Sequence, residues 1–271
     1  MQIGTMMRFT PGGLGEGGRL MERAAEYARR IEAAGFPAIW VGDSLGRGNP
    51  TLDPLMELAT LAAVTSKVEL GIGVLQLPLR HPIELAHRVQ SLQALSGNRL
   101  MLGVGSGSTK DDFDLLGYDY DKRFGTLRSS LRAMQAVWRG DSALSVWPTC
   151  KGGPPILIGA WRSHRWITLA AKEFHGWTPS GRYSSWDDLE AGMKVFREAG
   201  GTNAVLANTA VDLGNRPGSA ELAKVAEPAL IGTPDEVRAK LKRMKDIGFE
   251  SVMVVSHHNV LEDIERVRDM L

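Results

Sequence analysis

The residues with the clearest chemical meaning in this chain form a glycine-rich loop after a short apolar run. The segment from Arg99 to Ser108 reads Arg-Leu-Met-Leu-Gly-Val-Gly-Ser-Gly-Ser. Its glycines lack the Cβ atoms that would hold a ligand away from the backbone, and Ser106 and Ser108 add hydroxyl donors beside backbone N–H groups. The loop therefore predicts a site for an anion the size of phosphate. A tight turn at the end of the strand that binds no ligand would have the same composition.

A dinucleotide-binding fingerprint is the competing interpretation of this loop. Gly103 and Gly105 begin a G-x-G-x-x-G pattern, but Ser108 stands at the sixth position. Acidic residues, among them Asp111 and Asp112, follow where a Rossmann helix would present its N-terminus to a pyrophosphate. No strand that ends in an acid appears about 20 residues later. The pattern argues against a Rossmann domain.

The composition argues against several classes of partner. The chain has 271 residues, 32 of them basic and 31 acidic, and its net charge of +1 gives no electrostatic basis for binding nucleic acid or an anionic membrane. Its 43% hydrophobic content suffices for one large α/β domain, expected over residues 1–271. The single cysteine, Cys150, has no partner for an internal disulfide. No window has the roughly 18 apolar residues of a membrane span, so we expect a cytoplasmic protein.

The elements that must position the loop recur in a regular order. Amphipathic helices end at a glycine, and a short run follows that is apolar throughout, as in parallel strands covered on both faces. Eight such runs occur, at residues 2–7, 38–42, 68–74, 99–104, 156–159, 175–178, 204–213 and 251–256. Helical patterns follow at residues 18–34, 54–66, 82–95, 123–138, 162–172, 186–199, 234–247 and 260–270, and the intervals 140–155 and 214–228 have the composition of loops. Eight β–α units predict a single closed (β/α)8 TIM barrel.

In such a barrel the site forms where the strands run out into the loops that precede the helices. The residues at those positions are mostly small or apolar. They include neither the cluster of acids and histidines that a divalent cation needs nor a lysine for a Schiff base, so we expect no metal. Apolar walls beside backbone that binds anions suit a flat apolar ring that carries a phosphate.

Several short blocks follow one another in a recognisable order. They are Trp-Val-Gly-Asp from Trp40, Leu-Pro-Leu-Arg-His-Pro from Leu77, Gly-Val-Gly-Ser-Gly from Gly103, Pro-Ile-Leu-Ile-Gly from Pro155, and Ile-Gly-Thr-Pro-Asp-Glu-Val from Ile231. No single block is specific, but the ordered set spans nearly the whole chain. It resembles the bacterial luciferase-like family of flavin- and coenzyme F420-dependent oxidoreductases, which implies an enzyme of that kind.

The resemblance also implies where a cofactor would bind. The ring would lie against the third strand, where family members often have a bulge and a cis peptide bond, and the phosphate would lie between the fourth and fifth loops. The implied cofactor-binding residues are Gly73, Val74, Ser106, Gly107, Ser108, Gly159, Ala160, Trp161 and Ser163. The ends of the predicted strands add Asp43 as a contact of ring or substrate, and they predict a substrate pocket at Met6, Arg8, Ser44, Gln76 and Trp177.

The chain departs from two branches of that family. Where the sugar-phosphate dehydrogenases have a histidine after strand two and a glutamate at the end of the fourth loop, this chain has Ser44 and Ser108. Where the luciferases have a reactive cysteine and an arginine in the fourth loop, it has Gly105 and Ser106. We therefore expect neither chemistry. The catalytic acid or base stays unknown, with Asp43 and the less specific His257 as candidates.

The interpretation that follows is an oxidoreductase, with monooxygenase as one form, that acts on a small organic substrate at the C-terminal mouth of the barrel. FMN needs only the phosphate site and is put first. Coenzyme F420, the alternative, has a longer acidic tail that would favour the loop residues Arg162, Arg165 and Arg182. Electrons would come from NAD(P)H or a partner flavin reductase, and the resemblance implies a homodimer. The other hypotheses are a flavin-binding protein without turnover and a cofactor-free TIM-barrel lyase or isomerase of a phosphorylated substrate.

Overall fold

Strands and helices alternate along the chain. The computed structural model describes residues 1–7, 20–45, 48, 50–214, 216–256 and 261–271. The strands are β1 (Gln2–Met7), β2 (Ala38–Val41), β3 (Glu69–Gln76), β4 (Leu100–Gly105), β5 (Ile156–Gly159), β6 (Gly176–Thr178), β7 (Val205–Asp212), β8 (Leu230–Ile231) and β9 (Ser251–Ser256). The helices are α1 (Leu20–Ala33), α2 (Pro54–Val64), α3 (Pro82–Leu95), α4 (Lys110–Leu116), α5 (Arg123–Arg139), α6 (His164–Glu173), α7 (Trp186–Glu198), α8 (Ser219–Val225), α9 (Pro234–Ile247) and α10 (Leu261–Arg268).

These strands form one curled parallel sheet. Its order is β6-β5-β4-β3-β2-β1-β9-β7-β8. The eight predicted strands are all observed, with bounds that shift by two residues at most. The expected count of eight is nevertheless wrong, because β8 pairs with the end of β7 as a ninth strand. Two residues are too few to produce a periodic pattern, so β8 left no signal in the sequence.

The two ends of the sheet meet along β7. One edge of β7 pairs with β9, while the other contacts β6 near its start and β8 at its end. The backbone N–H groups of Trp177, Ala207 and Gly181 donate to backbone carbonyl oxygens. The acceptors are those of Asn203 (3.0 Å), Pro179 (3.0 Å) and Ala207 (2.8 Å), respectively. Three backbone hydrogen bonds therefore join β6 and its exit to β7, and we call this contact the β6–β7 seam.

Two helices lie in intervals where none was predicted. The chain from Lys110 to Leu116 forms α4, and α8 lies within the interval 214–228 that had the composition of a loop. Each has seven residues, which is only two turns and too short for a helical period to be recognised. Within the described ranges, no helix is long and apolar enough to cross a bilayer.

Apolar side chains pack on both faces of the sheet. The larger cluster joins strand residues to the helices outside. A smaller cluster contains strand residues alone, and its members are Met6, Ala38, Trp40, Met101, Leu157, Val205, Ala207, Met253 and Val255. Trp40 is its largest side chain, and Gly71 and Gly73 leave the space that its indole fills. The inner face is thus filled below the strand ends, and open volume is found at the carboxyl rim.

Candidate active site

A cavity of about 840 Å³ opens where the strands end. Residues at or just beyond the carboxyl ends of β1 to β6 contribute to its wall, as expected for parallel strands whose ends meet at one rim. Ala207 and Asn208, in the first half of β7, also line it. Its volume lies within the range of pockets that hold cofactors and other small molecules. This cavity is therefore the candidate active site.

Most of the predicted site residues line this cavity. They are Met6, Asp43, Ser44, Gly73, Val74, Gln76, Ser106, Gly107, Ser108, Gly159, Ala160, Trp161 and Ser163. Arg8 and His257, predicted for the substrate pocket and as a catalytic candidate, lie outside the described residues. Predicted residues from five strands, β1 to β5, which lie far apart in sequence, are thus brought to one cavity.

Trp177 is the exception, and its expected place in the substrate pocket needs correction. Its side chain is fully buried, its indole N–H donates to the Ala160 carbonyl at 2.8 Å, and its ring packs against Phe196 and Phe249. The residue lies within β6 rather than beyond its end, and its side chain faces the helices. Trp177 therefore supports the fifth loop from behind and does not touch the cavity.

The wall formed by β3 has an irregular backbone. The Gly73–Val74 peptide bond is cis, as the resemblance implied. Pairing between β3 and β4 also shifts register between Ile72 and Leu75. Together these features bring Val74 to the cavity surface, where it lies against the glycines of β4 and β5.

The glycines of β4 and β5 lie close to β3. A Cβ on Gly105 would lie 2.7 Å from Val74 Cγ2, and a Cβ on Gly159 would lie 3.0 Å from Val74 Cγ1. A Cβ on Gly103 would overlap the carbonyl oxygen of Ile72. These positions therefore make room for β3, a requirement that the sequence analysis did not identify. Gly107 is glycine for another reason, since its φ of +77° is one that other residues rarely adopt.

Asp43 is fixed by a buried ion pair. Its carboxylate accepts from Arg80 Nη1 at 2.7 Å and Nη2 at 2.8 Å, and from the Gln76 N–H at 2.8 Å. Only 2% of the Asp43 side chain and 16% of the Arg80 side chain are exposed. Asp53, which caps α2, adds a second carboxylate 3.8 Å from Arg80. Asp43 lines the cavity, but its carboxylate ties β2 to β3 and is committed to protein donors.

The fourth and fifth loops differ at the helices that they begin. The fourth loop, residues 105–109, leads into α4, whose first turn has Asp111 and Asp112. The fifth loop, residues 159–163, leads into α6, whose first turn has no acid. Ser163 is the N-cap of α6, yet its hydroxyl makes no capping hydrogen bond. Of the starts of α4 and α6, that of α6 is therefore the more electropositive.

Three cavity-lining side chains hold buried polar atoms that have no hydrogen-bond partner among the described residues. The atoms are Glu57 Oε1, Arg123 Nε and Thr178 Oγ1. Burial raises the pKa of Glu57 to about 8. Buried polar atoms are nearly always satisfied in folded proteins, so a ligand that occupies this cavity is the expected partner.

Glu57 and Arg123 were missed by the sequence analysis. Glu57 had a usable signal, because it falls on the buried face of α2 beside Leu58 and Leu61, where an acid is unexpected. Arg123 had none, since an arginine at the first position of a helix is usually solvated.

Aromatic rings surround the mouth of the cavity. Trp161 and Tyr183 have ring centroids 4.9 Å apart, and those of Phe124 and Trp166 are 6.4 Å apart. The Arg123 guanidinium lies 3.8 Å from the centroid of the Tyr120 ring. Trp161 is 38% exposed, so the rim presents aromatic surface to solvent.

Two of the three loop arginines are already engaged. Arg162 Nε donates to Asp188 at 2.8 Å, and the Arg162 hydrogen bond, with those from Ser185, lowers the pKa of Asp188 to about 2. Arg182 lies 5.7 Å from the centroid of the Tyr183 ring. Among the described residues, no three His, Cys, Asp or Glu side chains are grouped to hold a metal ion.

A family model described as luciferase-like monooxygenase matches residues 1–212. The chain belongs to this family. A relative of the luciferase-like chain is an uncharacterised protein of Mycobacterium tuberculosis, 31% identical over 202 residues, which are 68% of this chain and 71% of that protein. Another is the 4-hydroxyprotoasukamycin monooxygenase of Streptomyces nodosus subsp. asukaensis, 34% identical over 124 residues. That match covers 45% of this chain and 33% of the relative's length.

Solved structures of similar fold cover the whole luciferase-like chain. The monooxygenase RslO1 from Streptomyces bottropensis has a TM-score of 0.81 at 18% identity, with 100% of this chain and 97% of that one covered. The oxygenating constituent of 3,6-diketocamphane monooxygenase from Pseudomonas putida, in complex with FMN, has a TM-score of 0.75 at 16% identity, with coverages of 100% and 96%. An F420-dependent secondary alcohol dehydrogenase with an F420–acetone adduct has a TM-score of 0.76 at 15% identity, with coverages of 100% and 98%.

Proposed function

We propose that this protein is an oxidoreductase that binds a flavin-type cofactor in the cavity and oxidises a small organic substrate there. One observation carries the proposal. A single cavity of about 840 Å³ connects the apolar Val74 wall to the electropositive start of α6, which is the combination that a flat ring with a phosphate requires. Named relatives and neighbours that act as monooxygenases, or that were solved with FMN or F420, support the same function.

The start of α6 is the proposed phosphate site. Ser163 presents a hydroxyl that makes no capping bond, and the fourth-loop residues Ser106 and Ser108 lie on the same cavity wall. The beginning of α4 is a poor alternative because Asp111 and Asp112 would repel a phosphate. Backbone N–H groups and hydroxyls would thus hold the anion without a dedicated arginine.

FMN is the proposed cofactor, with coenzyme F420 as the alternative. The acidic tail of F420 would need cations around the mouth, but Arg162 is paired with Asp188 and Arg182 lies against Tyr183. FMN, which has one phosphate and no acidic tail, does not need cations around the mouth.

A bound reduced flavin would supply electrons to dioxygen for oxidation of the substrate, whereas a bound oxidised deazaflavin would accept a hydride from the substrate. The chain's own residues bind and orient. Val74 forms the surface against which a ring packs, and Trp161 and Phe124 limit the access of water at the mouth. The Asp43–Arg80 pair fixes the ends of β2 and β3, so that this wall keeps its shape. NAD(P)H or a partner reductase is the proposed electron source, and a homodimer is the proposed assembly.

We also propose that the sheet is a closed barrel within one domain over residues 1–271. The three backbone hydrogen bonds of the β6–β7 seam support closure, because they join the strand that begins the sheet order to one near its other end. Closure would hold the fifth loop, which follows β5, in a fixed position beside β7.

Binding titrations with FMN, riboflavin and coenzyme F420 test the proposed function. We expect FMN to bind, and riboflavin, which has no phosphate, to bind about tenfold more weakly or worse. Ser163→Asp places a negative charge at the start of α6, so it should weaken FMN binding and leave riboflavin binding unchanged. Ser163→Ala, which removes only the hydroxyl, is the matched control and should have the smaller effect.

The outcomes separate the competing functions. Binding of neither FMN nor F420 overturns the proposal in favour of a cofactor-free barrel. Tight flavin binding with no consumption of NAD(P)H or oxygen, with or without an added flavin reductase and across a panel of ketones and terpenes, favours a binding protein without turnover.

A further inference from the structure

We propose that Glu57 is a neutral carboxylic acid in the substrate region of this cavity and donates a hydrogen bond to a carbonyl oxygen of an otherwise apolar substrate. This inference rests on the proposed function and names the substrate class that its site would take. It assigns a specificity-determining contact to a residue of α2, a different element from α6, whose start is the proposed phosphate site.

The position of Glu57 is the first support. The residue is only 6% exposed, lines the cavity, and its Oε1 has no hydrogen-bond partner among the described residues. The neighbouring buried residues of α2 are apolar, among them Leu55, Leu58 and Leu61. A carboxyl group that is buried without a partner costs several kcal/mol when charged, so this site favours the protonated form.

The charged groups around α2 do not offset that cost. Among the residues that line the cavity, the carboxylate of Asp43 is paired with Arg80, and Arg162 is paired with Asp188. The Arg123 guanidinium donates to the Tyr120 carbonyl and lies over the Tyr120 ring. In the elements that pack against α2, the titratable side chains have other partners or are exposed. On α1, Glu32 accepts hydrogen bonds from the backbone N–H groups of Ser66, Lys67 and Val68, Arg30 pairs with Glu262 and Glu265, and Tyr27 is hydrogen-bonded to Thr5. On β3, Glu69 accepts from the Trp40 indole. At α3, Glu84 pairs with Arg88, and His81 and His87 are exposed. Burial is the cause of the raised pKa of Glu57, and the group holds its proton at neutral pH.

A second unpartnered group has the same hydrogen-bonding character. The Nε–H group of Arg123 is buried in the cavity lining and has no acceptor among the described residues. A guanidinium N–H can donate a hydrogen bond but cannot accept one. A protonated Glu57 can also donate through its O–H group. Glu57 and Arg123 thus each add an unsatisfied donor to the lining of the cavity. Such donors select a ligand whose polar group accepts hydrogen bonds only, and a carbonyl oxygen is such a group.

The remaining wall on this side determines the rest of the ligand. Leu52, Phe124 and Leu127 line the cavity near the ends of α2 and α5, and Asp112 is the acid contributed by α4. Sugar hydroxyls that contacted Leu52, Phe124 or Leu127 would lack hydrogen-bond partners, so these side chains favour an apolar ligand body. The class that fits is an apolar ketone or quinone.

Carbon-13 NMR of protein labelled at the glutamate carboxyl carbons measures the charge state of Glu57 directly. The Glu57 resonance is assigned by its loss in Glu57→Gln. We expect the Glu57 resonance to titrate with a midpoint near pH 8. The resonance of the exposed Glu84, assigned in the same way, is the control. A Glu57 midpoint between 4 and 5, the range of a free glutamate, overturns the proposal.

A pair of ligands of matched shape tests the hydrogen bond. Acetophenone and α-methylstyrene differ in one group, a carbonyl in place of a methylene. We expect acetophenone to bind the wild-type chain about tenfold more tightly and to raise the Glu57 midpoint further. Glu57→Gln, which keeps a neutral donor, should retain the preference, and Glu57→Met should lose it while melting at a similar temperature.

Two results contradict the inference. The first is an equal preference in wild-type protein and Glu57→Met, and the second is failure of acetophenone to bind at all. Both measurements use the chain without a cofactor. If the Glu57 results hold while FMN and F420 fail to bind, the proposed function is wrong and the assignment of Glu57 stands; the reverse pattern overturns only the assignment.

Discussion

At the scale of single residues, the buried ion pair between Asp43 and Arg80 joins the ends of β2 and β3 beside the cavity. Asp43 was expected at the mouth because it follows a predicted strand, and it lines the cavity. Its carboxylate, however, is held by Arg80, which is 37 positions away. The sequence of each segment determines where a strand ends, whereas the pairing depends on how β2 and β3 register in the sheet. Such long-range contacts leave no local pattern.

Arg80→Gln tests the Asp43 ion pair. The change leaves a carboxylate that is 2% exposed without its cation, and removal of one partner from a buried pair costs about 3–5 kcal/mol. We expect a loss of this order in the free energy of unfolding, measured by urea denaturation. Arg88→Gln, in the half-exposed pair with Glu84, should cost less than about 1 kcal/mol. Equal stabilities of the two variants would contradict the structural role of Asp43.

The pH dependence of stability tests Glu57 through a different measurement. The folded protein keeps the Glu57 proton up to a pH of about 8, whereas the unfolded chain releases it near 4.5. The stability that this group contributes is therefore complete below pH 4.5 and is lost as pH rises to about 8. Relative to Glu57→Gln, wild-type protein should lose at most about 1.4 kcal/mol for each pH unit in that window. A difference that does not change with pH would show that Glu57 ionises normally.

At the scale of elements, the sequence predicts the eight longer strands but not the short elements inserted between them. The eight longer strands are mostly apolar, and a glycine at the end of the preceding helix comes before β2, β4, β7 and β9. These signals act within a few residues. The two-residue β8 and the seven-residue α4 and α8 are too short for a period, and packing alone fixes them. The glycines of β4 are recognisable in the sequence. The side chain that requires them, Val74, belongs to the neighbouring strand β3.

Gly105→Ala tests the packing of β3 against β4. The new Cβ would lie 2.7 Å from Val74 Cγ2, and neither the strand nor a branched side chain can move freely. We expect a loss of about 1–3 kcal/mol in stability and weaker FMN binding, because Val74 is displaced into the cavity. Gly42→Ala is the control, since Gly42 lines the same cavity and has open space around its Cβ position. Similar FMN affinities in both variants would show that Val74 does not form the ring wall.

At the scale of the whole molecule, family and α/β architecture were predictable because they depend on the order of many weak signals. The pairing of β8 with the end of β7, on the edge that also contacts β6, was not, since it depends on which strands meet after the sheet has curled. β7 contacts three other strands along its length, with β6 and β8 on the same edge. An alternation of strands and helices carries no information about a shared edge of this kind.

Gly176→Ala tests whether the seam supports the entire fold. Its Cβ would overlap the Asn203 carbonyl oxygen, which accepts the Trp177 hydrogen bond. We expect a lower urea midpoint in one cooperative transition and faster amide exchange at Trp177 and Ala207. Gly125→Ala, at an exposed position in α5 with open space, should be neutral or slightly stabilising. Faster exchange confined to β6, with an unchanged midpoint, would mean that the curled sheet is stable without the seam.

The stacked Trp161–Tyr183 pair gives the protein an optical signal of its own. Trp161 lies on the cavity wall and is partly exposed, whereas Trp40, Trp138 and Trp177 are fully buried. A ligand that enters the mouth removes water from the Trp161 indole, so its emission should shift to shorter wavelength while the buried indoles already emit there. Any small molecule that fills the cavity, coloured or colourless, can therefore be detected without a label, and loss of the shift in Trp161→Phe would assign the signal to the mouth.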